Sequence, residues 1–241
     1  MAASATQEQL RRAFTRWGLP RAIRVDNGAP WGSVGDLPTD LGLWLIGLGI
    51  TVIRNPPRRP QKNGVIERSQ GTGKRWAEPA SCADAAELQR RIDQEDRIQR
   101  ERYPSLAGRS RMAVFPALAH SGHPYRAEDE SSRWELGRVL EHLAGYVAVR
   151  RVDGKGSISW LNRSCYVGRL AAGREVYVSL DPEAREWIYT DRQGRCYRRQ
   201  AAEELTADRI RLLELHRHRD RPDQRGRRKG LADFSAQPRV V

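Results

Sequence analysis

Two carboxylic acids, Asp26 and Glu67, stand where their side chains could act together on one ligand. Asp26 directly follows the short apolar run at residues 22–25, and Glu67 lies three residues after an Asn-Gly pair at 63–64. Carboxylate oxygens are the ligands that hard divalent cations prefer in proteins. Two acids held on separate elements could therefore contribute to one cation site.

The residues around these acids predict a strand, a helix and a second strand. The runs at 22–25 and 50–53 are short, apolar and rich in β-branched residues, which is typical of strands. Between them lies an apolar block, residues 41–48, long enough for a buried helix. This order predicts a parallel pair of strands in an α/β fold. Asp26 then lies at the carboxyl end of its strand, where open α/β sheets place their chemistry, and Glu67 lies in the first turn of a further helix.

Each acid also has a simpler explanation. Asp26-Asn27-Gly28 between apolar runs is a strong hairpin signal, and taken alone it favours a turn over catalysis. Glu67 could merely stabilise the positive end of its helix dipole. Only the order of the motifs along the chain favours the functional alternative.

That order resembles the integrase core shared by retroviral integrases and many bacterial insertion-sequence transposases. The matching stretches are Val25-Asp26-Asn27-Gly28 with Pro30-Trp31 behind it, then Leu48-Gly49-Ile50, then Pro60-Gln61-Lys62-Asn63-Gly64 followed by Glu67 and Lys74. The resemblance implies a partial ribonuclease H-like core over residues 1–103. It implies that Asp26 and Glu67 are the second and third of three catalytic acids, which are also the metal ligands.

The same resemblance implies a reaction and a cofactor. The family breaks and rejoins DNA strands, and the implied cofactor is Mg²⁺ or Mn²⁺. In such a phosphoryl transfer two divalent ions about 4 Å apart stabilise the attacking and leaving oxygens, which is why several acids are needed. The implied partners are DNA, as transposon ends and target, and a homo-oligomer or a full-length transposase.

The first acid of the family has no counterpart in this sequence. The only acid before Asp26 is Glu8, which lies in a segment predicted to be helical, whereas the family carries its first Asp on a strand. We therefore expect an N-terminally truncated transposase that binds DNA without independent catalysis. One alternative is an active enzyme whose first strands and first Asp come from another polypeptide. Others are a non-catalytic protein that regulates a full-length transposase, and a partial core that folds poorly because a sheet edge is exposed.

The charge of the chain favours a polyanionic partner. Its formal net charge is +13, with a pI of about 10.4, which is the electrostatic footprint of nucleic-acid binding. Residues 54–75 contain seven Arg or Lys and one acid, so we predict contacts to DNA phosphates there, although a solvated loop would also be charged. The predicted contact residues are Arg58, Arg59, Lys62, Asn63, Arg68 and Lys74. Gly71 and Gly73 should weaken the helix that carries Lys74.

The second half of the chain predicts a linker, a β-rich region and a basic tail. Residues 104–137 are rich in Pro, Gly and Ser and predict a linker. Residues 138–205 contain five predicted short strands separated by turns, which suggests a small antiparallel β-barrel whose first strand spans 139–152. Residues 206–241 predict a short helix over 205–215, opened by Thr206, and a tail in which 216–230 holds seven Arg or Lys and two Asp.

The β-rich region resembles the barrel that follows the core in phage Mu-type transposases. The matching stretches are Ile158-Ser159-Trp160-Leu161-Asn162, Tyr166-Val167-Gly168 and Val176-Tyr177-Val178. The resemblance implies DNA contact or assembly of the transposition complex. Small barrels also serve as general interaction modules, so this fold alone does not decide the function.

Two further helices are predicted near the core. Residues 4–17 form an amphipathic pattern with Leu10 and Phe14 on its apolar face, and Thr6 with Gln9 suggests a capping box. Residues 83–102 predict a long, highly charged helix.

Composition argues against several other classes of protein. The mean hydropathy is -0.73, and no apolar run approaches the roughly 20 residues of a membrane span. The N-terminus lacks the basic flank and apolar core of a signal peptide, so we expect a cytoplasmic protein without a membrane partner. The three cysteines have no CxxC spacing, which supports neither a disulfide framework nor a zinc site.

Overall fold

A computed structural model describes residues 2–32, 37–56 and 64–216 of the chain. The helices are α1 (Ala3–Trp17), α2 (Asp40–Gly47), α3 (Gly64–Ala77), α4 (Ala85–Glu101), α5 (Arg111–Val114), α6 (Glu130–Arg133), α7 (Leu136–Ala144) and α8 (Ala207–Arg211). The strands are β1 (Ala22–Val25), β2 (Thr51–Arg54), β3 (Ala148–Arg151), β4 (Ser157–Trp160), β5 (Arg163–Tyr166), β6 (Glu175–Asp181), β7 (Glu186–Thr190) and β8 (Cys196–Ala201). The fold therefore mixes helices with sheets, as the sequence predicts.

The predicted strand, helix and strand around Asp26 are confirmed. Strands β1 and β2 pair in parallel, with Ala22 opposite Thr51 and Val25 opposite Arg54. The connecting helix α2 is buried along its whole length, and its residues after Asp40 are apolar on all sides. Its N-terminus is capped by the Thr39 side chain, which accepts a hydrogen bond from the Gly42 N–H at 3.3 Å. Within the described ranges β1 and β2 form a sheet of two strands only.

Helix α1 packs its predicted apolar face on α2, but its predicted cap is wrong. The Phe14 ring stacks on Trp44 with 6.1 Å between ring centroids. The helix begins at Ala3, so Thr6 lies inside it, and its hydroxyl donates to the Ala2 carbonyl at 3.3 Å. Ser and Thr side chains inside a helix commonly bond a preceding carbonyl in this way, whereas a cap must precede the helix.

Part of the predicted linker belongs to the main core. Tyr125, Glu130 and Trp134 are all buried. The Trp134 indole N–H donates to the Trp44 carbonyl at 3.0 Å, and its ring lies so close to Gly47 that a Cβ there would meet it at 2.1 Å. The glycine that ends α2 thus makes room for an aromatic ring from residues 104–137.

In residues 138–205, called the β-region below, the first predicted strand is wrong over its first half. Residues 136–144 form helix α7, and only β3 at the end of the predicted range is extended. Val139, Leu140 and Leu143 are buried on one face of α7. Their spacing of one, three and four residues suits a helix, and a two-residue alternation does not produce it.

The other predicted strands are confirmed, and an additional strand is present. Strands β3, β6, β7 and β8 form an antiparallel sheet in the order β3-β6-β7-β8. The additional strand, β5, pairs with β4 in a hairpin whose two turn residues, Leu161 and Asn162, both have positive φ. Two-residue hairpin turns with positive φ at both positions usually contain Asn-Gly. The Leu161-Asn162 pair therefore did not predict a hairpin here. Within the described ranges the sheet stays open, and no closed barrel forms.

The end of the described chain returns to the N-terminal half. Helix α8 is shorter than predicted, but Thr206 caps it as expected by accepting from the Arg209 N–H at 3.3 Å. Helix α8 packs against α2, and the His216 ring hydrogen-bonds the Asp40 carboxylate. The Gln7 side chain donates to the Arg211 carbonyl at 2.9 Å. Residues 206–216 therefore pack on the first two helices.

Candidate nucleic-acid interface

Asp26 lies at the carboxyl end of β1, directly after the buried Val25, and its side chain is exposed. One of its carboxylate oxygens accepts a hydrogen bond from the Gly28 N–H at 3.1 Å. The Asn27 side chain donates to the Asn55 carbonyl at 2.9 Å and so joins the ends of β1 and β2. Because β1 pairs in parallel with β2, no hairpin forms at Asp26-Asn27-Gly28, but the hydrogen bond from the Gly28 N–H to the Asp26 side chain shows that the predicted turn is present.

Glu67 lies in the first turn of α3, as predicted, and is also exposed. Helix α3 packs against α4, with the Ser69 hydroxyl 3.3 Å from the Gln99 side-chain oxygen. Among residues 2–32, 37–56 and 64–216, no group of three or more His, Cys, Asp or Glu is placed to hold a metal ion. Asp26 and Glu67 are exposed oxygen donors of the kind that Mg²⁺ takes. In the described ranges, however, they belong to no complete set of three ligands.

The predicted DNA-contacting residues fall into two groups. Arg58, Arg59, Lys62 and Asn63 lie outside the described residues. Arg68 and Lys74 lie on α3 with exposed side chains. Lys74 and Arg111 line a cavity of about 430 Å³ between α3 and α4, whose other walls include Leu88 and Ile92. Helix α3 therefore presents Lys74 beside α4, a position that the sequence did not predict.

Two exposed aromatic side chains, whose contact the sequence does not predict, meet near the ends of α3 and α4. Trp76, near the end of α3, and Tyr103, just after α4, have ring centroids 5.8 Å apart at an interplanar angle of 66°. Trp76 is 38% exposed and Tyr103 is 48% exposed. Both stand next to an arginine in the sequence, Arg75 and Arg102. An arginine directly before an aromatic residue in both places is the sequence feature that could have indicated this surface.

The most strongly hydrogen-bonded acid of the described chain is Glu130, which nothing in the sequence singles out. Its carboxylate accepts hydrogen bonds from the Tyr125 hydroxyl at 2.5 Å, from the Trp44 indole at 3.2 Å and from the Arg11 guanidinium. Burial would raise the pKa of Glu130, but the hydrogen bonds from Arg11, Tyr125 and Trp44 together lower it. Since Glu130 is 2% exposed and its oxygens are already bonded, it joins elements of the core and offers no site to a ligand.

The β-region has a small interior cavity of about 240 Å³. Trp160 and Trp187 line it and pack edge to face with ring centroids 5.0 Å apart. Glu204, at its wall, accepts a hydrogen bond from the Trp187 indole at 2.6 Å. Cys165 also lines the cavity, and burial raises the pKa of its thiol, which favours the protonated form. These contacts explain how this part of the chain is packed and point to no reaction.

In the part of the chain that the structure describes, no helix combines the length and the apolar character needed to cross a bilayer. No protein-family model matches the chain, so the resemblance to integrase-type transposases rests on the motifs around Asp26 and Glu67.

Proposed function

We propose that this chain is a DNA-binding part of an integrase-type transposase and that its residues alone do not cleave DNA. The observation that carries the proposal is the position of Asp26. It is an exposed carboxylate at the carboxyl end of a parallel strand, in a β1–α2–β2 unit, with the Asn27 amide joining the two strand ends. Reactive groups of open α/β sheets gather at this edge. In this proposal residues 1–103 correspond to part of a ribonuclease H-like core.

The charge around this edge supports DNA as the partner. Arg24 on β1 and Arg54 at the end of β2 both have exposed side chains, and within the described ranges neither forms an ion pair. Exposed guanidinium groups suit bidentate contacts to phosphate oxygens. Such contacts would position the DNA backbone beside Asp26 without reading its sequence.

We expect no independent catalysis because this chain supplies fewer carboxylates than two metal ions require. A two-ion strand transferase needs acids on both ions, and this sequence supplies Asp26 and Glu67 for the family's second and third positions only. Glu8 does not replace the first, because it lies in α1 and pairs with Arg12 at 3.4 Å. When bound, Mg²⁺ or Mn²⁺ would supply Lewis-acid stabilisation of the phosphoryl oxygens, and Asp26 and Glu67 are the residues that would contribute to holding it.

The proposal also gives the β-region a role. Its open antiparallel sheet, together with the β4–β5 hairpin, would correspond to the small barrel that follows the core in phage Mu-type transposases. The antiparallel strand order and the buried Trp160 and Trp187 support this assignment. It would serve in DNA contact or in assembly with a full-length transposase.

The test combines DNA binding with DNA cleavage. Labelled duplex DNA is titrated with the full chain at several salt concentrations, and nicking of a supercoiled plasmid is followed with Mg²⁺ and with Mn²⁺. We expect binding that weakens steeply with salt and no nicking above background. The variants Asp26→Asn and Glu67→Gln are compared with Glu8→Gln, which removes an exposed acid of no proposed role.

Two outcomes would contradict the proposal. If the chain does not bind duplex DNA even at low salt, duplex DNA is not its partner. Nicking by the wild-type chain and by Glu8→Gln, abolished in Asp26→Asn, would show that the missing ligand is supplied and that the chain is an enzyme.

A further inference from the structure

The Trp76–Tyr103 pair is an exposed aromatic surface in the helical layer formed by α3 and α4. The two rings contact each other, and more than a third of each side chain is nevertheless exposed. Large exposed aromatic side chains that contact each other are a common feature of binding surfaces.

The two segments that carry the pair contain only positive charges. Trp76 lies in residues 68–77 and Tyr103 in residues 102–111, and neither segment contains an acid. Together the two segments contain six basic residues: Arg68, Lys74, Arg75, Arg102, Arg109 and Arg111. None of these six forms an ion pair with an acid in the part of the chain that the structure describes. The nearest acids in sequence, Glu67, Glu78 and Glu101, lie directly outside the two segments, and α4 carries further acids of which Glu87 and Asp96 pair with arginines.

We infer that the Trp76–Tyr103 pair is a stacking platform for unpaired bases of single-stranded DNA. Proteins that bind single strands combine aromatic faces, on which bases stack, with cations that follow the phosphates. The pair supplies the faces, and Arg75 and Arg102 supply a cation directly beside each ring in sequence. A duplex cannot use the rings in this way because its bases are already stacked on one another.

The charge also distinguishes this partner from a second protein chain. An apolar contact between proteins favours a surface whose charged groups are few or balanced, because unpaired cations become costly when they are buried. Six basic residues in segments without an acid suit a polyanion instead. The inference goes beyond the proposed function, since it concerns the form of DNA that is bound and requires neither Asp26 nor Glu67.

The test separates the bases from the phosphates. A fluorescent oligothymidine and an oligonucleotide of the same length made of abasic sites carry the same backbone charge, but only the first has bases. Fluorescence anisotropy at fixed salt should show that the wild-type chain binds oligothymidine roughly ten-fold more tightly than the abasic strand. Trp76→Leu and Tyr103→Leu should each remove most of this difference, leaving affinity for the abasic strand nearly unchanged.

Two control variants sharpen the comparison. Tyr103→Phe keeps the ring and should keep the preference for bases. Phe115→Leu removes a different exposed aromatic ring, 57% exposed, which directly follows α5, and should also leave the preference intact. Thermal unfolding of each variant reports whether it folds, and Tyr103→Leu decides the matter if Trp76→Leu proves unstable.

Three results would overturn the inference. The first is equal wild-type affinity for oligothymidine and the abasic strand. The second is an equal loss of preference in Tyr103→Leu and Phe115→Leu. The third is a change of oligomeric state in Tyr103→Leu, measured by sedimentation, without a change in base preference, which would make the pair a protein–protein contact. Failure of the proposed function is seen separately, in duplex binding and nicking.

Discussion

Arg11 and Glu130 form a bidentate ion pair in the core: Nε and Nη2 of Arg11 lie 2.8 and 2.7 Å from the two carboxylate oxygens. The arginine comes from α1 and the acid from α6, more than a hundred residues later. The Glu130 side chain is 2% exposed and the Arg11 side chain 28% exposed, so removing the acid leaves a half-buried guanidinium without this partner, at a cost of up to about 3–5 kcal/mol. We predict that Glu130→Gln lowers the free energy of unfolding by about 3 kcal/mol, measured by urea denaturation.

The matched control for this change is Glu128→Gln. Glu128 pairs with Arg126 at 2.8 Å, but both side chains are mostly exposed. Exposed pairs contribute little because water and salt screen them. A loss of stability in Glu128→Gln as large as in Glu130→Gln would mean that burial of the pair is not the cause.

The same carboxylate should make stability depend on pH. Although burial acts to raise the pKa of Glu130, hydrogen bonds from Arg11, Tyr125 and Trp44 hold this pKa below its ordinary value of 4.5. A lowered pKa in the folded state adds stability above the unfolded value and loses it as pH falls through the folded value. We predict that the free-energy difference between wild type and Glu130→Gln is constant at neutral pH and shrinks below about pH 4.5. Urea denaturation over a pH series measures it, and a difference that grows on acidification would contradict this assignment.

Glycine has opposite roles in two helices of this chain. A Cβ at Gly47 would lie 2.1 Å from the Trp134 ring, whereas a Cβ at Gly71 would meet nothing within 4 Å. Gly47→Ala should therefore force the ring away and cost about 1–3 kcal/mol. Gly71→Ala should stabilise α3 by up to about 1 kcal/mol, because alanine loses less backbone freedom in a helix. Thermal unfolding compares the two, and equal shifts in Tm would show that contact with Trp134 is not decisive.

The sequence predicted those parts of the fold that depend on neighbours along the chain. The parallel β1–β2 pair followed from two apolar runs with an apolar block between them, and the positions of Asp26 and Glu67 at the ends of their elements followed with it. Strands β6 and β7 alternate buried and partly exposed residues, and their bounds were close to the prediction.

The parts that the sequence missed depend on contacts between distant residues. Nothing local marks Glu130 as the acceptor for Arg11 and Trp44, which lie more than eighty residues before it. The contact between Trp76 and Tyr103 depends on the packing of α3 against α4. The predicted linker contains buried side chains because the Trp134 ring fits against a glycine of α2, and composition alone could not show that.

A buried hydrogen bond from Trp187 to Glu204 should contribute to the stability of the β-region. Its carboxylate accepts from the Trp187 indole at 2.6 Å, and Glu204 is 8% exposed. Glu204→Ala would leave the indole N–H buried without this acceptor, which costs about 1–3 kcal/mol. In a chain of this size that corresponds to a fall in Tm of roughly 2–4 °C per kcal/mol. The neighbouring exposed Glu203 is the control, and Glu203→Ala should leave Tm unchanged.

The basic residues after His216 should affect DNA binding more than folding of the described chain. Residues 217–230, which lie outside the described residues, contain seven Arg or Lys and two Asp. A chain ending at His216 keeps the hydrogen bond of His216 with Asp40 and the buried Ile210 of α8. We predict that this shortened chain binds duplex DNA with a shallower dependence of affinity on salt, since the log–log slope falls by about 0.9 for each phosphate that is no longer neutralised. Anisotropy titrations at several salt concentrations measure the slope, and an unchanged slope would assign the phosphate contacts to the residues up to His216.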